Sequence, residues 1–127
     1  MHRAKEERRR HPRWEVQDQI VGQIPRVPEV SLVNISIGGV LIEHVKIVRP
    51  GSFCFLSLLL SGQKVGLKCR VVRSVVHRYE LSATGERDLI YRTGLKFLAL
   101  SETPRRQIEK YIDSLRGERP EATAVRS

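Results

Sequence analysis

The chain has 127 residues, enough for one domain with a modest core and too few for two. Apolar residues make up 40% and charged residues 29%, and no apolar run approaches the roughly 20 residues that cross a bilayer. The net charge of +9, carried mostly by arginine, favours an anionic partner, and the two cysteines and four scattered histidines exclude a zinc-ligand spacing.

Residues 1–13 form a charged stretch without apolar periodicity and are expected to be a flexible basic arm. No apolar segment follows this start, so no secretory leader is expected and the expected location is cytoplasmic. Apolar alternation begins at Trp14–Val16. Ile20–Ile24 and Val30–Ile35 are predicted strands, separated by Pro25 and Pro28. Ser36-Ile37-Gly38-Gly39 reads as a turn, Val40–Glu43 as a strand and Pro50-Gly51 as a second turn. Phe53–Leu60 is a predicted strand, apolar on both faces. Ser61-Gly62-Gln63 leads into Lys64–Val76, with Val65, Leu67, Cys69 and Val71 on one face and Lys68 and Arg70 on the other. Ser82–Asp88 reads as a loop and Tyr91–Leu98 as the last strand. Cys54 and Cys69 read as small buried hydrophobes, with no disulfide expected in a reducing compartment.

One helix is predicted over about residues 103–116. Thr103 suits the N-cap and Pro104 the first helical position. Ile108, Tyr111, Ile112 and Leu115 make one apolar stripe, and Gly117 ends it. Residues 117–127 are expected to be a disordered tail. The fold class is all-β with one helix: a six-stranded antiparallel barrel over residues 14–116, its C-terminal helix covering an open face or end.

Two short motifs carry the chemistry. Arg8-Arg9-Arg10-His11-Pro12-Arg13 contains R-x-x-x-R as Arg9 and Arg13, and Asn34-Ile35-Ser36-Ile37-Gly38-Gly39 contains N-x-S-x-x-G. Alone, the first is a solvated basic tail and the second an ordinary hairpin turn. Their order is joined by Gly38-Gly39-Val40-Leu41, by Pro50-Gly51 before an apolar strand, and by Gly94-Leu95-Lys96-Phe97 before a helix carrying Arg105-Arg106. Over roughly residues 7–115 the sequence thus resembles the PilZ domain family, split-barrel receptors for the second messenger cyclic di-GMP.

The resemblance implies that Arg9 and Arg13 grip the messenger, with Asn34, Ser36, Gly38 and Gly39 on the facing barrel surface. Cyclic di-GMP carries two phosphodiester charges and two guanines, and each O6/N7 edge suits a bidentate guanidinium. Such a contact is worth about 1–3 kcal/mol, a large share of the roughly 8 kcal/mol of a micromolar affinity when two are made. Arg8, just before R-x-x-x-R, goes in this family with a stacked ligand dimer, which implies two messengers per site. Asn34 stands where the family often has Asp; the neutral amide weakens the expected pairing to guanine N–H groups. His11 is read either as a phosphate contact or as a bystander, Trp14 as a barrel-capping core residue, and Lys68, Arg70 and Arg73 as an exposed strand face.

The implied function is a receptor that changes conformation on binding and signals to an effector protein in motility, exopolysaccharide or biofilm control. No nucleophile elbow, zinc-protease, phosphate-loop or paired-carboxylate pattern is present, so no enzyme, metal or cofactor is expected. Two alternatives stand beside this. One is a small basic barrel that binds RNA or single-stranded DNA, disfavoured because aromatics are few and Phe53 and Phe55 lie in the most buried-looking strand. The other is an interaction adaptor of the same fold whose ligand site is non-functional.

Overall fold

The structure, a computed structural model, describes residues 11–16 and 20–117. Arg8 and Arg9, most of the expected arm, and the tail beyond Gly117 lie outside the described residues. Seven strands and one helix follow in order: β1 (Trp14–Glu15), β2 (Val21–Ile24), β3 (Val27–Ile35), β4 (Gly39–His44), β5 (Phe53–Leu60), β6 (Gln63–Leu81), β7 (Arg87–Phe97) and α1 (Glu102–Gly117).

All pairings are antiparallel, in the order β1-β3-β2-β5-β6-β7-β4, and an additional β3–β4 ladder closes the ring. Six strands therefore make the barrel, as expected from the sequence, and the two-residue β1 is added on β3 beside β2. The hairpins follow from local chemistry. Ser61 and Gly62 both take positive φ (50° and 80°), the combination a two-residue type I′ turn needs. Pro25 followed by Arg26 at φ 68° fits the central pair of a type II turn. Pro28 is tolerated inside β3 because the β2–β3 register shifts opposite it, next to Glu29 at φ 55°.

The core follows the alternation. Leu56, Leu58 and Leu60 of β5 point inward with Val65, Leu67, Cys69 and Val71 of β6, each burial contributing about 1.5–3 kcal/mol for the larger side chains. Cys54 faces Cys69 across the β5–β6 ladder and both thiols are free; the hydrogen bond with Cys54, and then burial, push the Cys69 pKa up. α1 lays Ile108, Tyr111 and Leu115 on the barrel core. Gln107 donates to the Gln63 side chain beside the β5–β6 turn, and the Arg116 guanidinium lies 5.7 Å from the Trp14 ring centre, so the helix reaches from that turn to β1.

Three expectations are corrected. The helix begins earlier than the Thr103 cap: the Ser101 carbonyl accepts the first helical bond, from the Arg105 N–H, and Pro104 sits inside the first turn, where its missing donor costs nothing. β6 runs on to Leu81 and β7 starts at Arg87, which shortens the loop to residues 82–86. Register shifts at Val71/Arg73 and Val76/Arg78 explain the miss, because each extra residue flips the side-chain alternation by one position. Third, β5 is buried on one face only. Phe53 is 72% exposed, Phe55 48% and Leu59 57%. Among the described residues no helix is long and apolar enough to cross a membrane.

Candidate functional site

β3 pairs with β2 along Val27–Ser31 and, where β2 stops, with β1 at Asn34 and Ile35. Because that last pairing is antiparallel, the residue just before Trp14 is delivered to the far end of β3. Arg13 arrives there, and its Nη1 donates to Asn34 Oδ1 at 3.1 Å. His11 arrives too: a Cβ placed on Gly38 would lie 2.7 Å from the His11 Cδ2, so the imidazole sits where any larger residue would stand. The end of the arginine-bearing segment is thus laid across the Ser36–Gly39 turn.

The turn itself is held from inside. The Ser36 hydroxyl accepts from the Gly38 and Gly39 N–H groups at 3.1 and 3.2 Å, and the Ser36 N–H donates to the Gly39 carbonyl at 2.9 Å. The hydroxyl is buried and fully engaged, so Ser36 shapes the turn. The Gly38 carbonyl accepts from the Phe97 N–H at 3.0 Å, which pins the turn to the end of β7. Gly39 has negative-φ geometry; its need is space, since a Cβ there would stand 2.1 Å from the Leu95 carbonyl oxygen.

Two residues enter that the sequence reading did not assign. The register sets Gly39 opposite Lys96, Lys96 opposite Arg70, and Arg70 opposite Phe53. Lys96 is exposed beside the turn, and Arg70, also exposed, stands one strand further from it, on the side of Phe53. Lys96 stood in the sequence only inside the string Gly94-Leu95-Lys96-Phe97, with no role attached; the β4–β7 pairing brings it beside Gly39. An anion resting on the turn would meet Arg13, His11 and Lys96.

The remaining polar features lie elsewhere on the sheet. At the other end of β4, Glu43 accepts from Arg78 and Arg92, at 3.0 and 2.9 Å. Burial raises its pKa, but these hydrogen bonds and the two positive charges outweigh that and hold it below the ordinary glutamate value. His44, buried, hydrogen-bonds Thr93, which bonds Ser74 in turn at 2.7 Å, and stacks on Tyr91 with ring centres 5.7 Å apart. Burial pushes its pKa down against a backbone hydrogen bond at Lys46. A cavity of about 240 Å³ is lined by Ile42, His44, Val48, Phe53 and Thr93 among others, and by none of residues 11–13 or 34–39. Among the described residues no group of His, Cys, Asp and Glu could hold a metal ion.

The comparisons with known proteins bear on the whole chain. The sequence model of the PilZ domain matches residues 7–114. The structure is similar to the PilZ domain of YcgR from Escherichia coli, solved with c-di-GMP, at 21% identity and a TM-score of 0.69, covering 92% of this chain and 98% of that one. It is also similar to longer YcgR from Escherichia coli in complex with c-di-GMP (18% identity, TM-score 0.71, 93% of this chain) and to MrkH, a c-di-GMP-dependent transcription regulatory factor (19% identity, TM-score 0.62, 84% of this chain). The match spans 50% of each of these two longer chains. No curated protein matches the sequence.

Proposed function

The chain belongs to the PilZ domain family, and from that premise we propose that it is a non-catalytic receptor that binds cyclic di-GMP on the Ser36–Gly39 turn. The single observation that carries this reading is the meeting of the two motifs: Arg13 on Asn34, with His11 against Gly38, puts guanidinium and turn at one place on the barrel. The messenger needs donors to its guanine edges and phosphates, and Arg13 and Lys96 supply them from either side of the turn. Its arrival exchanges the Arg13–Asn34 bond for contacts to the ligand, freeing the Asn34 oxygen for a guanine N–H. Arg9, and Arg8 with a second stacked messenger, complete the site as the family pattern has it. The reading carries with it a cytoplasmic location and an effector protein as partner, which senses the rearranged segment before Trp14.

Isothermal titration with cyclic di-GMP, beside GTP as a control, tests it. Binding of the messenger alone, with a stoichiometry of about two if the dimer reading holds, is the expected result. Arg13→Ala should weaken binding by about ten-fold or more, from the roughly 1–3 kcal/mol of one bidentate contact, and leave the melting temperature nearly unchanged. If Arg13→Ala binds like the parent, or the parent shows no heat, the reading fails.

A further inference from the structure

We propose that the outer face of β5 and β6 is a docking surface for single-stranded nucleic acid, distinct from the messenger site. The alternation that buries Leu56, Leu58 and Leu60 turns Phe53, Phe55 and Leu59 outward, where each keeps about half or more of its surface exposed. The ladder sets each beside a cation: Phe53 opposite Arg70, Phe55 opposite Lys68 and Leu59 opposite Lys64. No carboxylate stands at an outward position of either strand over this stretch. Along these two strands the face is apolar, aromatic and positive, with Glu29 beyond β2 sharing a depression with Phe55; such a face suits a partner with π-faces and regularly spaced negative charge.

Geometry separates nucleic acid from other anionic partners. The two rings lie two residues apart on one strand, about 7 Å, and the cations run along the next strand about 4.8 Å away. Stacking sites beside a parallel row of charge are what an extended strand of bases and phosphates requires. The rings also lean onto β6 instead of standing off the sheet. Gly66 leaves the space: a Cβ there would lie 2.8 Å from the Phe55 Cζ. The Arg70 guanidinium lies over Phe53, 6.0 Å from its centre. Rings lying down present faces for stacking, whereas a bilayer surface is entered by side chains that protrude. An apolar protein partner would strip water from three cations without replacing it by counter-charge.

Fluorescence anisotropy with labelled oligo-deoxythymidine and oligouridine of about 12 nucleotides, at about 50 mM salt, tests the proposal. The parent should bind, and the Phe53→Ala/Phe55→Ala variant should bind about ten-fold or more weakly. Lys64→Glu/Lys68→Glu, which removes two cations, should reduce the slope of log affinity against log salt by about 1.4. Phe53→Ala alone, at the most exposed of these positions, guards against misfolding and should still cost several-fold; Phe53→Trp should restore binding. Absence of parental binding, or ring variants that bind like the parent, overturns the proposal. So does ring-dependent binding to anionic phospholipid vesicles or polyglutamate with none to the oligonucleotides. Titration of Phe53→Ala/Phe55→Ala with cyclic di-GMP separates the two sites, since β2 on one side and β6 and β7 on the other stand between β5 and the strands that flank the turn. Retained messenger binding with lost oligonucleotide binding is the expected pattern, and joint loss in a folded variant would show that the two are one site.

Discussion

The Ser36–Gly39 turn and the far half of the β6–β7 ribbon belong to one sheet and are held by opposite means. Ser36 and Gly39 of the turn are buried, its donors are satisfied by the Ser36 hydroxyl, and Gly39 lies where a single extra carbon has no room. The ribbon beyond Val71 exposes Val72, Val75, Val76, Tyr79 and Leu81; at its root Ser74 bonds Thr93 and Arg92 pairs with Glu43, and further out its side-chain ties include the exposed Arg78 with Glu43 and Glu80. Pairs made by a fully exposed guanidinium are screened by solvent and contribute little. A rigid platform beside an adaptable arm is the division of labour expected where one part must hold a ligand in fixed geometry and the other has no such duty.

Substitutions can break that contrast, and the largest effect belongs to Gly39→Ala. The new methyl meets a backbone carbonyl, so β4 and β7 must part, with an expected loss of about 3 kcal/mol or more in a denaturant melt. A melt within 1 kcal/mol of the parent, by the same rough scale, would mean the turn is as pliant as the ribbon. Ser36→Ala comes next: it strands the Gly38 and Gly39 N–H groups, and a loss of about 1–3 kcal/mol should accompany weaker messenger binding.

Acid sharpens the comparison by acting at the ribbon's root and not at the turn. His44 has a lowered pKa in the fold, so the unfolded chain binds the proton first; stability is level above about pH 6.5 and falls as pH drops below that ordinary value. Glu43, also lowered, contributes stability above its ordinary value of about 4.3 that is lost as pH falls toward its folded value. Melting temperatures between about pH 8 and 3 should decline in these two stages, and Glu43→Gln should flatten the lower one. A melting temperature that rises on acidification through the first stage would contradict the buried neutral His44. The smallest effect is expected from Arg78→Ala, a melt close to the parent's and no change in messenger titration, because the solvent-exposed guanidinium is well screened. A larger loss would show the ribbon to be structural after all.

The barrel was legible because inward residues alternate cleanly along β5 and the first part of β6, and because Pro-Gly and Ser-Gly pairs mark the turns. Legibility ended where spacing stopped reporting on space. Past Val71 two register shifts scramble the period, so spacing follows the strand only to Val76 and extends the loop to Asp88. The two motifs were visible as strings, and Asn34 and Arg13 were named from them, but Lys96 was visible only as one letter of Gly94-Leu95-Lys96-Phe97, with no role attached. It became Gly39's neighbour only through pairing with a strand more than fifty positions away.

Sequence alone thus determined the class of fold, the inward half of the core, and the residue types gathered for an anionic ligand, since all three depend on local period and chemistry. Tertiary structure decided which face of β5 is covered, why Gly39 must be glycine, and that Arg13 reaches Asn34. The reason is physical: a strand with two apolar faces states only that both prefer burial, whereas closure of the ring decides which one obtains it. Contacts across a barrel depend on strand order and register, which residues distant in the chain settle together.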